Sequence, residues 1–121
     1  MCRKKIDSVY RERLKDIKGI YCLDNTGEKV ANYSYFPILV KKDYPISRDQ
    51  LFQKLKENDI HPRRYFYPLI SDLPMYKGLT SSHRGNLPVG VDAAEKVLCL
   101  PIYPDLDISL VNEITCLIRA Q

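Results

Sequence analysis

Apolar residues recur at helical spacing at both ends of this chain, and between them they fall into short extended runs cut by prolines. That change of period constrains the fold more than any other property. A helix seats its apolar stripe every 3.6 residues, and a strand seats its apolar face every second residue. From Arg3 to Lys18 the apolar positions are Ile6, Val9, Tyr10, Leu14 and Ile17, with charged residues between them. A helix is expected there, with Gly19 as its C-terminal glycine. It starts almost at residue 1 with no leader before it, which leads us to expect a piece of something longer. A last helix is expected after Asp107, whose side chain can cap it, with Leu110, Val111, Ile114, Leu117 and Ile118 facing inward.

Between these ends the signals are shorter. Asp24 to Lys29 is turn chemistry, and Val30 to Val40 reads as a strand. Pro37 cannot donate a ladder hydrogen bond, so this strand is expected at an edge or with a bulge. Ser47 and Gln50 form a capping-box pattern for a second helix with Leu51, Phe52 and Leu55 inside and Asn58–Asp59 at its end. Ile60 to Tyr67 reads as a second strand or extended segment, bracketed by Pro62 and Pro68. Leu69 to Leu87 reads as a long surface loop. Pro88 can open a third helix with Val91, Ala94, Val97 and Leu98 on its inner face. Cys99 to Tyr103 then reads as a brief buried strand. The whole is expected to be one α/β domain of the α+β type, residues 1–121, with a small antiparallel-rich sheet and packed helices.

Composition narrows the function classes. A length of 121 residues with 45% hydrophobic and 28% charged content fits one compact domain. The net charge of +4 permits anionic ligands but is too small to imply nucleic acid. No apolar run reaches the roughly 18–20 residues needed to span a membrane. The basic N-terminus has no apolar core behind it, so it is no signal peptide. Cys2, Cys22, Cys99 and Cys116 lie far apart, as expected of reduced, buried cysteines in a cytoplasmic protein. His61 and His83 are the only histidines, and no spacing supports a metal site. No phosphate-loop or nucleophile-elbow motif occurs. The lysines lie on polar helix faces and in turns, without the apolar setting that a Schiff-base lysine requires. Most of the nine tyrosines are expected at core-facing positions.

One block carries candidate chemistry: HPRRYFYPLI, His61 to Ile70. In an extended chain Arg63, Tyr65 and Tyr67 share one face, while Arg64 and Phe66 share the other, with Phe66 toward the core. Guanidinium groups bind phosphate through paired hydrogen bonds, and tyrosines add stacking and a hydroxyl donor. The alternative is a solvated strand edge whose arginines pair with Asp72 or Glu57.

The order of motifs has a further meaning. A helix carrying VYRERL is followed by NYSYFPILV, SRDQLFQKLKENDI, HPRRYFYPLI, VDAAEKVLCLPIYPDLD and a final amphipathic helix. This combination resembles the C-terminal small domain of the DegT/StrS family of pyridoxal-phosphate-dependent sugar aminotransferases, from about Ile6 to Arg119. The resemblance implies the small domain of a fold-type-I aminotransferase, a homodimer whose active site lies between large and small domains. It implies transfer of an amino group onto a nucleotide-linked keto sugar, of the dTDP-4-keto-6-deoxyhexose type. It also implies that Arg63, Arg64, Tyr65 and Tyr67 face the substrate. In the family, the large domain that precedes this region carries the Schiff-base lysine and the pyridoxal phosphate site, and no residue here matches that lysine. The chain alone is therefore expected neither to hold the cofactor tightly nor to transaminate. Its expected partners are the missing large domain or a second subunit, and the sugar nucleotide. Two other readings remain: an interaction module that self-associates or docks on a partner, and, less favoured, a nucleic-acid binder.

Overall fold

The computed structural model of the chain describes residues 3–23, 32–64 and 68–121. In chain order these form α1 (Arg3–Leu14), β1 (Ile20–Cys22), β2 (Phe36–Val40), α2 (Arg48–Glu57), α3 (Pro88–Lys96), β3 (Val97–Leu100) and α4 (Ile108–Arg119). The strands make one antiparallel sheet in the order β1-β2-β3. The α+β class read from the sequence is the one found. The buried cluster runs from Ile6, Tyr10 and Leu14 of α1 through Phe36 and Ile38 of β2 to Val111, Ile114 and Ile118 of α4. Tyr10 stacks on Phe36 with ring centroids 4.8 Å apart.

Local chemistry explains most boundaries. α1 stops at Leu14, earlier than its apolar spacing implies, and Ile17 reaches the core from the turn that follows. Gly19 adopts φ +85°, and a Cβ there would stand 2.2 Å from the Tyr44 backbone nitrogen, so only glycine fits. β1 has no counterpart in the sequence reading. β2 begins at Phe36 instead of Val30. Tyr33 has φ 53°, and the Asn32 side chain accepts a 3.1 Å hydrogen bond from the Ser34 N–H, so a turn precedes the strand. Asp24 to Lys29, together with Val30 and Ala31, lies outside the described residues.

α2 carries the expected capping box, with Ser47 and Gln50 bonded reciprocally. Its end is a Schellman turn built on Asp59 at φ 62°. The Ile60 N–H donates to Leu55 O, and the Asp59 N–H donates to Lys56 O. The buried Ile60 completes that turn.

Pro37 is a correction. β2 is the central strand, not an edge, and Pro37 stands opposite Cys99 without a bulge. The register explains why this is tolerated. Cys99 turns its N–H and C=O away from β2, toward Arg63. Pro37 therefore faces the β1 side, just past Cys22, which pairs with Ile38 at the end of that strand. The missing N–H falls where no strand waits for it.

The α3–β3 junction is another. Val97 and Leu98 belong to β3 and not to the inner face of a helix, and β3 ends at Leu100, not Tyr103. Arg48 fixes this junction from α2. It is buried, and its Nη1 donates to Ala94 O at 2.7 Å and to Val97 O at 3.0 Å. Carbonyls left over at the end of α3 are thus satisfied by a side chain. The stretch from Leu69 to Leu87 is the surface loop expected, tightened by short 3-10 turns at Ile70–Asp72, Thr80–Ser82 and Arg84–Asn86. From Pro68 to Lys96 no residue is buried.

Candidate functional site

Where β3 ends, the chain turns outward through Pro101, Ile102 and Tyr103. The Tyr10 hydroxyl holds that turn by donating a 2.8 Å hydrogen bond to Pro101 O. Burial, with the nearby Tyr103, keeps the Tyr10 phenol protonated far above its ordinary range, so the donor persists. On the other side of β3, Arg63 makes a two-way backbone bridge with Cys99: Arg63 N–H to Cys99 O at 3.0 Å, and Cys99 N–H to Arg63 O at 2.7 Å. The start of α1 brings Arg3 to the same place, and the residues before β2 bring Tyr35. Together they line a half-open cleft of about 470 Å³.

The electrostatics of this cleft are one-sided. Arg63 is exposed, and no carboxylate lies within ion-pair distance of it among the described residues. Arg3 is half-buried at the first turn of a helix with no acidic residue in that turn. His61 also lines the cleft, though its Nε2 lies 3.3 Å from Asp59 Oδ1. Cys99 sits at the cleft floor, where burial pushes its thiol up to about 11 and Arg63 only partly offsets this. A neutral thiol is no nucleophile, so Cys99 serves as packing.

The candidate residues from the sequence separate. Arg63 lines the cleft. Arg64 points the other way, as in an extended chain, although Ile60 to Arg64 forms no strand and only an isolated bridge at Arg63: its guanidinium lies 5.0 Å from the Phe52 ring centroid and 3.8 Å from Asp49 Oδ1. Neither arginine takes Asp72 or Glu57 as partner. Asp72 pairs with Arg84 instead. Tyr65 and Tyr67 lie outside the described residues, as does Phe66. Arg3 and Tyr35 were missed. On a helical wheel Arg3 looks like one more solvated charge, and only the fold brings it across to Arg63. The tyrosines also differ from expectation: Tyr10 and Tyr44 are buried, whereas Tyr21, Tyr35, Tyr76 and Tyr103 are exposed.

A second concavity, of about 550 Å³, lies in the surface loop between Ile70, Tyr76, Leu79 and Leu87 and is almost wholly apolar. Among the described residues no group of His, Cys, Asp and Glu could hold a metal ion, and no helix is long and apolar enough to cross a membrane. Of the cysteines among the described residues, Cys99 is buried, Cys22 half-buried and Cys116 exposed.

With this geometry in view, comparison with known proteins is decisive. Residues 1–119 match the DegT/DnrJ/EryC1/StrS aminotransferase family. The chain belongs to that family. A relative from Escherichia coli, a dTDP-4-amino-4,6-dideoxy-D-glucose transaminase, is 51% identical over 98% of this chain and 32% of its own length. A protein of the same name from Shigella dysenteriae is 44% identical over 97% of this chain and 31% of its own. The crystal structure of S. venezuelae DesV in complex with a ketimine intermediate superposes with a TM-score of 0.86 at 22% identity, covering 98% of this chain and 30% of that one. The chain thus spans about a third of the length of these relatives.

The family is pyridoxal-phosphate dependent, and among the described residues no lysine has the setting that this cofactor's Schiff base requires. A Schiff-base lysine needs a desolvated amine. Every described lysine is exposed except Lys96, which is half-exposed and pairs with Asp92 at 2.7 Å.

Proposed function

We propose that this chain is the C-terminal small domain of a pyridoxal-phosphate-dependent aminotransferase acting on a dTDP-linked 4-keto-6-deoxyhexose. Residues 1–121 form a single domain that encloses the substrate, and the large domain supplies the reactive lysine and the cofactor's electron sink. In this reading Arg63, with Tyr65 and Tyr67 of the same segment, binds the sugar nucleotide, and Arg64, which turns away from the cleft, does not. The observation that carries this reading is Arg63: a cation unpaired among the described residues, held by a backbone bridge at the mouth of an aromatic cleft. Arg64, clamped on Phe52 and Asp49, orients the segment. The chain's own contribution is to bind, to orient and to exclude water. Exposed apolar side chains at Ile70, Met75, Leu79 and Val89 meet the large domain or a second subunit in a homodimer. A cytoplasmic location goes with this reading.

The test replaces the matching third of the Escherichia coli relative with this chain and follows transamination of dTDP-4-amino-4,6-dideoxy-D-glucose. An active chimera, within about tenfold of the parent, supports the reading. A folded chimera with bound cofactor and no turnover sinks it.

A further inference from the structure

We infer that Asp49 and Phe52, on α2, are positioning residues: they hold Arg64 in a brace that fixes the direction in which its neighbour Arg63 enters the cleft. Neither residue lines the cleft itself. The inference deepens the reading above and rests on it only in naming the sugar nucleotide as the ligand that Arg63 meets.

The backbone of Arg63 is tied to β3 at one place, the two-way bridge with Cys99. Ile60 to Arg64 forms no strand, so no ladder extends that tie along the chain. One tie is a pivot, and two ties set a direction. The next residue supplies the second. The Arg64 guanidinium lies 5.0 Å from the Phe52 ring centroid, and its Nη1 lies 3.8 Å from Asp49 Oδ1. That oxygen is itself held from behind, because it accepts a 2.7 Å hydrogen bond from Arg48 Nε. The Arg48 side chain is buried, and its Nη1 donates to Ala94 O and Val97 O. A line of contacts therefore runs from Val97, at the start of β3, through Arg48 and Asp49 to Arg64. It reaches the segment one residue after the bridge, and it leaves β3 two residues before Cys99. Burying a guanidinium is costly unless carbonyls and a carboxylate surround it, as they do here. The outer contact is of a different kind. Asp49 is exposed, and an exposed ion pair this long adds little to stability. A role as a favourable charge in the first turn of α2 would explain Asp49 alone. It would not explain why Arg64 is seated on both Asp49 and the ring one turn further along the same helix. What the pair supplies is orientation, which lowers the ordering cost when Arg63 takes up a ligand.

The test has two arms. In this chain alone, NMR relaxation of the backbone nitrogens reads the mobility of Arg63 and Arg64. Asp49→Asn and Phe52→Leu should loosen both residues, and Phe52→Tyr, which keeps the aromatic face, should leave them as rigid as before. Lys56→Gln removes another cation, 5.3 Å from the same ring, and should change neither. In the Escherichia coli chimera, Asp49→Asn and Phe52→Leu should each raise KM for dTDP-4-amino-4,6-dideoxy-D-glucose about threefold with kcat retained. Phe52→Tyr should restore KM. A merely structural role would lower the urea midpoint and leave KM in place. Unchanged mobility of Arg63 in both loosening variants overturns the inference, as does an active chimera whose KM ignores them or responds equally to Phe52→Tyr. The two failures are separable. If the unsubstituted chimera folds, holds cofactor and does not turn over, the aminotransferase reading falls, and the mobility of Arg63 in the chain alone decides this inference. If the chimera is active while KM and mobility ignore Asp49→Asn and Phe52→Leu, this inference falls and that reading stands.

Discussion

α4 and α3 both carry apolar residues at helical spacing, and both end on a basic residue, yet they sit in the fold very differently. α4 buries Val111, Ile114, Thr115 and Ile118 against α1 and the rest of the core. α3 buries nothing. The same contrast extends to their neighbourhoods. The half of the molecule built from α1, the sheet, α2 and α4 holds every residue of the buried cluster. The stretch from Pro68 to Lys96 keeps Ile70, Met75, Leu79 and Val89 in the open, with Val89 80% exposed. Apolar side chains at that density on a free surface are costly unless something covers them. Burial and exposure of apolar side chains are thus divided between two regions of one small chain.

The sharpest way to break this division is to truncate matched residues on its two sides. Ile114→Ala should cost about 3 kcal/mol, the usual range for emptying a closed core site. Val89→Ala should cost less than about 0.5 kcal/mol. Urea denaturation measures both, and a similar loss at the two positions would erase the distinction.

Arg48 is the bolt between the halves. Arg48→Ala removes both donors from the end of α3 and should destabilise the chain by about 2 kcal/mol. Hydrogen exchange should quicken in α3 well before it does in α4. Uniform acceleration across both helices would mean that they open as one unit.

A smaller effect concerns Tyr44, whose hydroxyl donates to Ile118 O at 2.6 Å from a buried position. Burial pushes its phenol from the ordinary tyrosine range up to about 12. The folded state therefore holds its proton where the unfolded state has released it. Stability from this group is complete below pH 10 and drains away as the pH climbs toward 12. Tyr10 shifts in the same direction. Tyr44→Phe should cost about 1 kcal/mol at neutral pH and shallow the alkaline decline followed by thermal melts. An unchanged alkaline slope would show that Tyr44 titrates normally. Smallest of all, Ser47→Ala should remove about 1 kcal/mol or less through loss of the capping box, visible as a lowered urea midpoint.

What the sequence displays and what it hides follows the same line. α2 and α4 are legible because their signals are local: Ser47 with Gln50, and Asp107 accepting from the Ser109 N–H at 3.0 Å. The α3–β3 boundary is hidden because Val97 and Leu98 continue the helical spacing of Val91 and Ala94. β3 also has all of its residues buried, so it shows no alternation. Pro37 misleads because a sequence does not tell which side of a strand its nitrogen faces. Alternation along an extended chain did separate Arg63 from Arg64. It could not supply Arg3, whose relation to Arg63 is created by the sheet and not by spacing along the chain.

In the proposed function the uncovered stretch from Pro68 to Lys96 docks on the large domain of the aminotransferase. Hydrogen–deuterium exchange of the chain alone and within the Escherichia coli chimera tests it directly. Amides between Ile70 and Lys96 should exchange fast in the chain alone and slow by at least about tenfold in the chimera, while those of α1, β2 and α4 stay as they were. Equal protection of both halves in the chain alone, or an active chimera in which Ile70 to Lys96 remains as open as before, would contradict it.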